Sequence, residues 1–224
     1  MVNEIIIIGS SSDLAQECVS LFREEGYKVL TISSSKKLTS DLVVNDYLSN
    51  QDRVISFISN FTSPTVIFFN GYLKENRPIQ YPNLNEIFKT FFVNFKVPYL
   101  LTKNILLNEQ NIKMIYISSI ASLKLREKNY IYGYSKYLLE KNIQKLTENY
   151  LILKFGLINT KMSQNHSRPP YSLEKKDAAK IILDNINSKG VIYPTKGLVF
   201  VKYIFKILPT KFIDLIESLI IKKT

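Results

Sequence analysis

Four continuous apolar runs constrain this chain more than any other feature: Glu4 to Ile8, Thr65 to Phe69, Met114 to Ile117 and Tyr150 to Phe155. None alternates apolar with polar residues, so each reads as a strand buried on both faces of a sheet. Tyr27 to Ser33 and Val191 to Tyr193 read as two more strands. Helical spacing fills the intervals, from Asp13 to Glu25 with Gly26 as its stop, Gln51 to Phe61, Glu86 to Asn108, the stretch around Tyr130 to Leu146, and Glu174 to Ser188 with Gly190 as its cap. Strands that alternate with helices imply a parallel sheet covered on both faces, an α/β doubly wound architecture.

The remaining bounds are broad. With 224 residues, 46% of them hydrophobic and 22% charged, the chain suits one domain with a full core. We read residues 1–195 as that domain and 196–224 as a basic, amphipathic helical extension. Cys18 is the single cysteine, which excludes an internal disulfide framework and fits a reducing compartment. The opening MVNEIIIIGS lacks a basic leader and reads as a strand, and no apolar run reaches the roughly 20 residues of a membrane span. A cytoplasmic location follows as the expectation. The net charge of +11 is dispersed among acids and apolar residues, with no arginine-rich arm and no zinc pattern, so neither nucleic acid nor a metal is expected as partner. Anionic nucleotides, phosphorylated substrates or an acidic membrane surface all match that charge.

Chemistry-bearing residues stand where the strands end. Gly9 opens a loop, Ser10-Ser11-Ser12-Asp13-Leu14, that leads into a helix. A glycine can take the sharp turn there, and the helix start offers free N–H groups to a pyrophosphate. Asp13 and Gln16 read as a capping box; an ordinary strand–helix turn is the alternative. After the second strand come Ser33, Ser34, Ser35, Lys36 and Lys37 where an acid would mark a site for NAD. Hydroxyls and lysines suit a 2′-phosphate instead, which favours NADP(H) over NAD(H). Asp41 and Leu42 follow, expected beside the adenine, and Asn70-Gly71 ends the strand that closes over the nucleotide. Asn94 sits inside the long helix ahead of Pro98, placed either to kink it and hold a water or to satisfy a core polar group.

Ser119, Tyr132 and Lys136 form the remaining constellation. Tyr132 and Lys136 are four apart and share a helix face. A free phenol, with a pKa near ~10, is a poor base at neutral pH. A nearby ammonium favours the phenolate, and Ser119, thirteen residues before the tyrosine, can hold a reacting oxygen. Taken alone, the Y-x-x-x-K spacing also describes a surface pair.

In order and spacing these motifs resemble the short-chain dehydrogenase/reductase family, from the glycine loop at Gly9 to Ala15 through to about Pro194. The resemblance implies a Rossmann-like sheet and a nicotinamide cofactor. The family's catalytic asparagine, serine, tyrosine and lysine fall on Asn94, Ser119, Tyr132 and Lys136. Its Pro-Gly segment at the nicotinamide resembles Phe155-Gly156, continued by Ile158 and Thr160. Asp13 and Ala15 depart from the loop pattern and Phe155 from the proline. Tyr132 is then the proton donor, Ser119 the oxygen ligand, Lys136 the group that lowers the tyrosine pKa and holds the ribose, and Asn94 the holder of a relay water.

An aspartate in the loop is similar to family members that act on cell-envelope sugars, which implies a keto-sugar substrate, small or lipid-linked. The alternatives are a soluble small-molecule or acyl-thioester ketoreductase, or a non-catalytic NADP(H) sensor. The loop from Lys161 to Leu173, with the only histidine, His166, reads as a flap over the substrate. The extension divides at Pro209 into two apolar, lysine-bearing helices. They are expected either to pack on the domain or a second subunit, in a homo-oligomer, or to lie on the inner membrane face.

Overall fold

The computed structural model describes residues 4–35, 40–74, 82–108, 112–164 and 172–221, with 216–221 described by backbone alone. Seven parallel strands make one sheet: β1 (Glu4–Ile8), β2 (Lys28–Ser33), β3 (Leu42–Val43), β4 (Thr65–Phe68), β5 (Lys113–Ser119), β6 (Tyr150–Phe155) and β9 (Gly190–Ile192), in the order β3-β2-β1-β4-β5-β6-β9. Between the last two, β7 (Ile158–Asn159) and β8 (Leu173–Glu174) pair with each other as a small parallel ladder. The chain thus leaves β1 in one direction, returns to β1's other side at β4, and continues away. That switch places Gly9, which follows β1, beside Asn70, two residues past β4, at the carboxyl ends, where open α/β sheets leave a crevice.

The four isoleucines of β1 show how the two faces are filled. Ile5 and Ile7 pack with Leu14, Cys18 and Phe22 of α1 (Asp13–Glu24) and with Ala178, Ala179 and Ile182 of α6 (Lys175–Asp184). Ile6 and Ile8 face the other way, against Val54 and Ile58 of α2 (Gln51–Ser59), Leu101 and Ile105 of α4 (Val97–Asn108) and Leu139 and Ile143 of α5 (Tyr130–Leu146). Alternate side chains of a strand point to opposite faces, so a fully apolar run is what two covered faces require.

Several local expectations need correction. The cap of α1 is Ser12, whose hydroxyl accepts from Ala15 N at 3.2 Å, not an Asp13–Gln16 box. The long helix starts earlier, as α3 (Leu84–Phe91) with an Asn83–Glu86 capping box, and passes through a π-helical turn at Phe92–Lys96 before α4. Asn94 lies inside that π turn. α6 ends at Asp184, and Gly190, with φ +85°, opens β9 instead of capping the helix. The extension does form two helices, α7 (Lys196–Ile207) and α8 (Thr210–Ile221), separated at Pro209.

Candidate active site

A cavity of about 620 Å³ opens over the carboxyl ends of β1, β4, β5 and β6. Its walls include Ser11, Ser12, Asp13, Leu14, Asn70, Gly71, Ser119, Tyr132, Lys136, Gly156, Ile158 and Thr160, twelve residues singled out from the sequence. Gly9 lies beneath them. Its φ is +83°, and a methyl group there would sit 3.0 Å from Asn70 N, so turn and close approach both require glycine.

A serine cap and a glycine shape the corner where β5 meets α5. Ser119 ends β5 and its Oγ accepts from Ala121 N at 3.2 Å, capping the short 3-10 turn Ile120–Ser122. Gly133, next to Tyr132, lets α5 press against that turn: a methyl group at Gly133 would stand 2.5 Å from the Ala121 carbonyl oxygen. Ser119 and Tyr132 thereby face the same cavity, close enough for the serine side chain to favour the ionised phenol.

Lys136 is buried, and its Nζ donates to the carbonyls of Asn70 at 3.2 Å and Ile117 at 3.1 Å, tying the ends of β4 and β5 together. Burial pulls its pKa down to about 8, with Glu140 opposing. Tyr132 goes the opposite way from expectation. Burial pushes its phenol up to about 12, the Ser119 side chain lowers it, and Glu140 raises it further. Desolvation, which the spacing of the two residues does not reveal, outweighs the neighbours that favour the phenolate.

Asn94 stands behind the cavity, not in its wall. Its Oδ1 accepts from Tyr72 N at 2.7 Å, and its Nδ2 donates to Tyr72 O at 2.9 Å and Ser135 Oγ at 3.1 Å. Both amide hydrogens are thus engaged by protein atoms, so Asn94 fastens the loop after β4 rather than donating to a relay water. Of the two readings open from sequence, the satisfied core polar group describes this geometry.

The residues expected around the distal half of a nucleotide lie away from the cavity. Ser33 is buried and bonded to Ser35, Ser34 is exposed beyond it, and neither lines the cavity. Asp41 Oδ2 accepts from both Thr31 N at 2.8 Å and Thr31 Oγ1 at 2.7 Å, which ties it to the middle of β2. It therefore holds strand edges together, with Leu42 in β3, and the pair does not reach the cavity. Lys36, Lys37 and His166 lie outside the described residues. Tyr47, absent from the sequence reading, is buried at the corner where Gly9, Ser34 and Asn70 meet.

One contact and two groups of wall residues escaped the sequence reading. Asp13 Oδ2 accepts from Lys161 N at 2.7 Å and Oδ1 lies 3.7 Å from Lys161 Nζ, so the loop aspartate latches the start of the expected flap. Arg126, Lys128 and Asn129 bring polar groups to the wall just before Tyr132. Leu198, Val201 and Phe205 of α7 supply an apolar wall opposite. Their i, i+3, i+7 spacing was a readable helix face, but nothing in the sequence tied it to the cavity. α7 is anchored there by Lys124 Nζ donating to Leu208 O at 2.8 Å and by the Arg126 guanidinium over the Phe205 ring at 5.2 Å.

A nicotinamide dinucleotide fits these residues: the bare Gly9 turn, the amino end of α1 facing the cavity, a buried Asn70 Oδ1 without a partner, and Lys136 beside Tyr132.

No protein-family model matches the chain, and no curated protein matches it. Solved structures do. A short-chain dehydrogenase from Burkholderia cenocepacia in complex with NADP shares 17% identity at a TM-score of 0.74, over 89% of this chain and 91% of that one. A 4-hydroxyisoleucine dehydrogenase complexed with NADH shares 21% identity at a TM-score of 0.62, over 83% and 91%. The aldohexose dehydrogenase of Thermoplasma acidophilum shares 14% at a TM-score of 0.66, over 86% and 91%. The chain therefore has the Rossmann-like fold of the short-chain dehydrogenases.

Proposed function

We propose that this protein is an NAD(P)(H)-dependent oxidoreductase of the short-chain type that reduces a keto-sugar intermediate in cell-envelope or surface polysaccharide synthesis. One observation carries the chemistry: Ser119, Tyr132 and Lys136 converge on one cavity that also holds the Gly9 turn and the amino end of α1. The solved structures with the same fold include proteins named for NADP and NADH complexes and for an aldohexose. A bound nicotinamide supplies the hydride. Tyr132, held protonated at neutral pH by its burial, donates its proton to the substrate oxygen. Ser119 hydrogen-bonds that oxygen as charge gathers on it, a contact stronger in the transition state than in the ground state. Lys136 holds the ribose and keeps positive charge beside the phenolate left behind; Asn94 positions the loop that frames them.

The walls bear on the substrate. Arg126, Lys128, Asn129 and Lys161 line a polar side and Leu198, Val201 and Phe205 an apolar one, which suits a hydroxyl-rich ring carrying an apolar chain. The same apolar wall would also take an acyl thioester, the second reading. A sensor needs no Ser119–Tyr132 contact, and nothing here favours one.

NADP(H) is proposed over NAD(H) from Ser34 and Lys36 at the end of β2. The outer face of α7 exposes Phe200, Tyr203 and Ile207, followed by Phe212 and Leu215 of α8, with Lys196, Lys206 and Lys211 exposed among them. We assign that lysine-edged apolar face to the anionic inner surface of a membrane, which would set the cavity beside a lipid-linked substrate. A second apolar face, with Leu84, Phe88, Tyr134 and Tyr137 exposed, suits pairing with another copy.

The test is NADPH and NADH binding by the purified protein, followed by NADPH oxidation against nucleotide-linked ketosugars, lipid-linked ketosugars and acyl thioesters. Turnover with a ketosugar is expected, reduced about 100-fold or more in Tyr132→Phe with NADPH binding retained. Near-normal turnover in Tyr132→Phe overturns the catalytic assignment, and turnover with acyl thioesters alone overturns the sugar.

A further inference from the structure

α5 carries Tyr132, Lys136 and Glu140 at four-residue steps, so all three lie along one helix face. The third has no part in the chemistry above, yet it is 4% exposed and carries a carboxylate. Lys154, next to the carboxyl end of β6 and opposite Ser118 in the sheet register, is 6% exposed and meets it, with Nζ 2.7 Å from Glu140 Oε2. Ser118 Oγ donates to Glu140 Oε1 at 2.5 Å. Ser122 Oγ accepts from Lys154 Nζ at 3.0 Å, and its single proton can go to Glu140 Oε1 at 2.8 Å or to the Ser119 carbonyl at 2.7 Å. The ion pair therefore grips the residues on both sides of Ser119.

Packing alone does not call for charge here. Desolvating two ions is costly, and well-packed apolar side chains of similar volume commonly serve a buried position as well or better. We propose that Glu140, ion-paired with Lys154, is a positioning residue for the Ser119–Tyr132–Lys136 site, fixing the corner that carries Ser119 and placing a negative charge one helical turn from Lys136. This rests on the catalytic reading only in naming Tyr132 and Lys136 as the proton-handling groups.

The charges facing Glu140 are Lys154 from β6, Tyr132 and Lys136 on its own helix, and Tyr193 after β9, over which Lys202 of α7 lies at 4.7 Å and Lys154 at 6.0 Å. Arg126 lines the same cavity as Tyr132. Glu140's charge raises the affinity of Tyr132, Lys136 and Tyr193 for their protons, in each case as a smaller effect than burial. For Lys136, drawn down to about 8, Glu140 works against the larger effect of burial.

The experiment follows Lys136 directly, by NMR titration of protein carrying lysine labelled at Cε, with the resonance assigned by its loss in Lys136→Met. It needs neither substrate nor cofactor, so a failed activity assignment leaves it intact. Glu140→Gln should lower the Lys136 titration by about half a pH unit or more. Ser118→Ala and Lys154→Arg, which keep both charges, should leave it in place. Should Glu140→Gln not fold, the double variant Glu140→Gln with Lys154→Met removes both charges together, and the shift should keep its direction. An unmoved Lys136 titration in the folded charge-removing variant overturns the proposal and leaves the pair a structural clamp only.

Discussion

Lys136→Met isolates the cost of holding a cation inside this fold. Wild-type Lys136 binds its proton less tightly in the folded state, about 8 against the ordinary 10.5 of a lysine, because burial removes the ammonium from water. A base with a lowered folded pKa destabilises the fold wherever the unfolded chain keeps the proton more firmly. That penalty is complete below about pH 8 and is relieved as pH rises towards 10.5. At 1.36 kcal/mol per unit, the difference of about 2.5 units makes a penalty on the order of 3 kcal/mol at pH 7. Near pH 9.5 only about one unit remains, worth about 1.4 kcal/mol, so wild type should gain roughly 2 kcal/mol between these pH values from this group. Lys136→Met cannot show that gain. Urea unfolding of both proteins at each pH measures the difference of differences, in which the other titrating groups, including the buried Cys18 thiol, cancel. The variant's stability relative to wild type should fall by about 2 kcal/mol on going from pH 7 to 9.5. A pH-independent difference would show that Lys136 is as well solvated as an exposed lysine, and would remove the physical basis for its place beside Tyr132.

Three further outcomes are expected. Gly133→Ala forces a methyl group onto the Ala121 carbonyl, with backbone on both sides of the clash, so it should cost about 1–3 kcal/mol in urea unfolding and reduce turnover by shifting Ser119. Truncation after Thr195 should abolish co-sedimentation with anionic vesicles at low salt; retention of binding, or no binding by the intact chain, refutes the membrane assignment of α7 and α8. Cys18 is fully buried with its thiol pKa raised, so an alkylating reagent at pH 8 should label it only as fast as the fold opens, and rapid labelling would contradict the packing of α1 on β1.

What was legible in the sequence was whatever local rules decide. Continuous apolar runs declared doubly buried strands, and the β1 isoleucines are indeed divided two and two between the faces. Strand ends followed by glycine or serine declared the residues that now line one cavity, because a parallel sheet gathers all its carboxyl ends on one edge. Misreadings arose where a polar residue had two available partners. Asp13 was given to its own helix and went instead to Lys161, 148 residues away; Asp41 was given to the adenine and went to Thr31. A carboxylate takes the nearest unpaired donors once the chain has folded, and sequence separation conveys nothing about which those are. The sign of the Tyr132 shift failed for a related reason, since the ammonium was visible in the sequence and the desolvation was not.

The extension carries this furthest. Its helical spacing and its break at Pro209 followed from composition, but a single apolar tally could not separate two faces with different destinations. α7 turns Leu198 and Phe205 inward, where they are buried against the cavity, and Phe200, Tyr203 and Ile207 outward. One helix therefore forms the apolar wall of the site and an exposed apolar surface at once, about ten ångströms of side chain and backbone apart. A substrate with a polar ring and an apolar chain would find both kinds of environment across that one helix, and Arg126, stacked on Phe205 at the cavity wall, marks where the polar side begins. Packing on the domain and contact with a membrane were alternatives only while the tail was one amphipathic string; a helix with two apolar faces can do both.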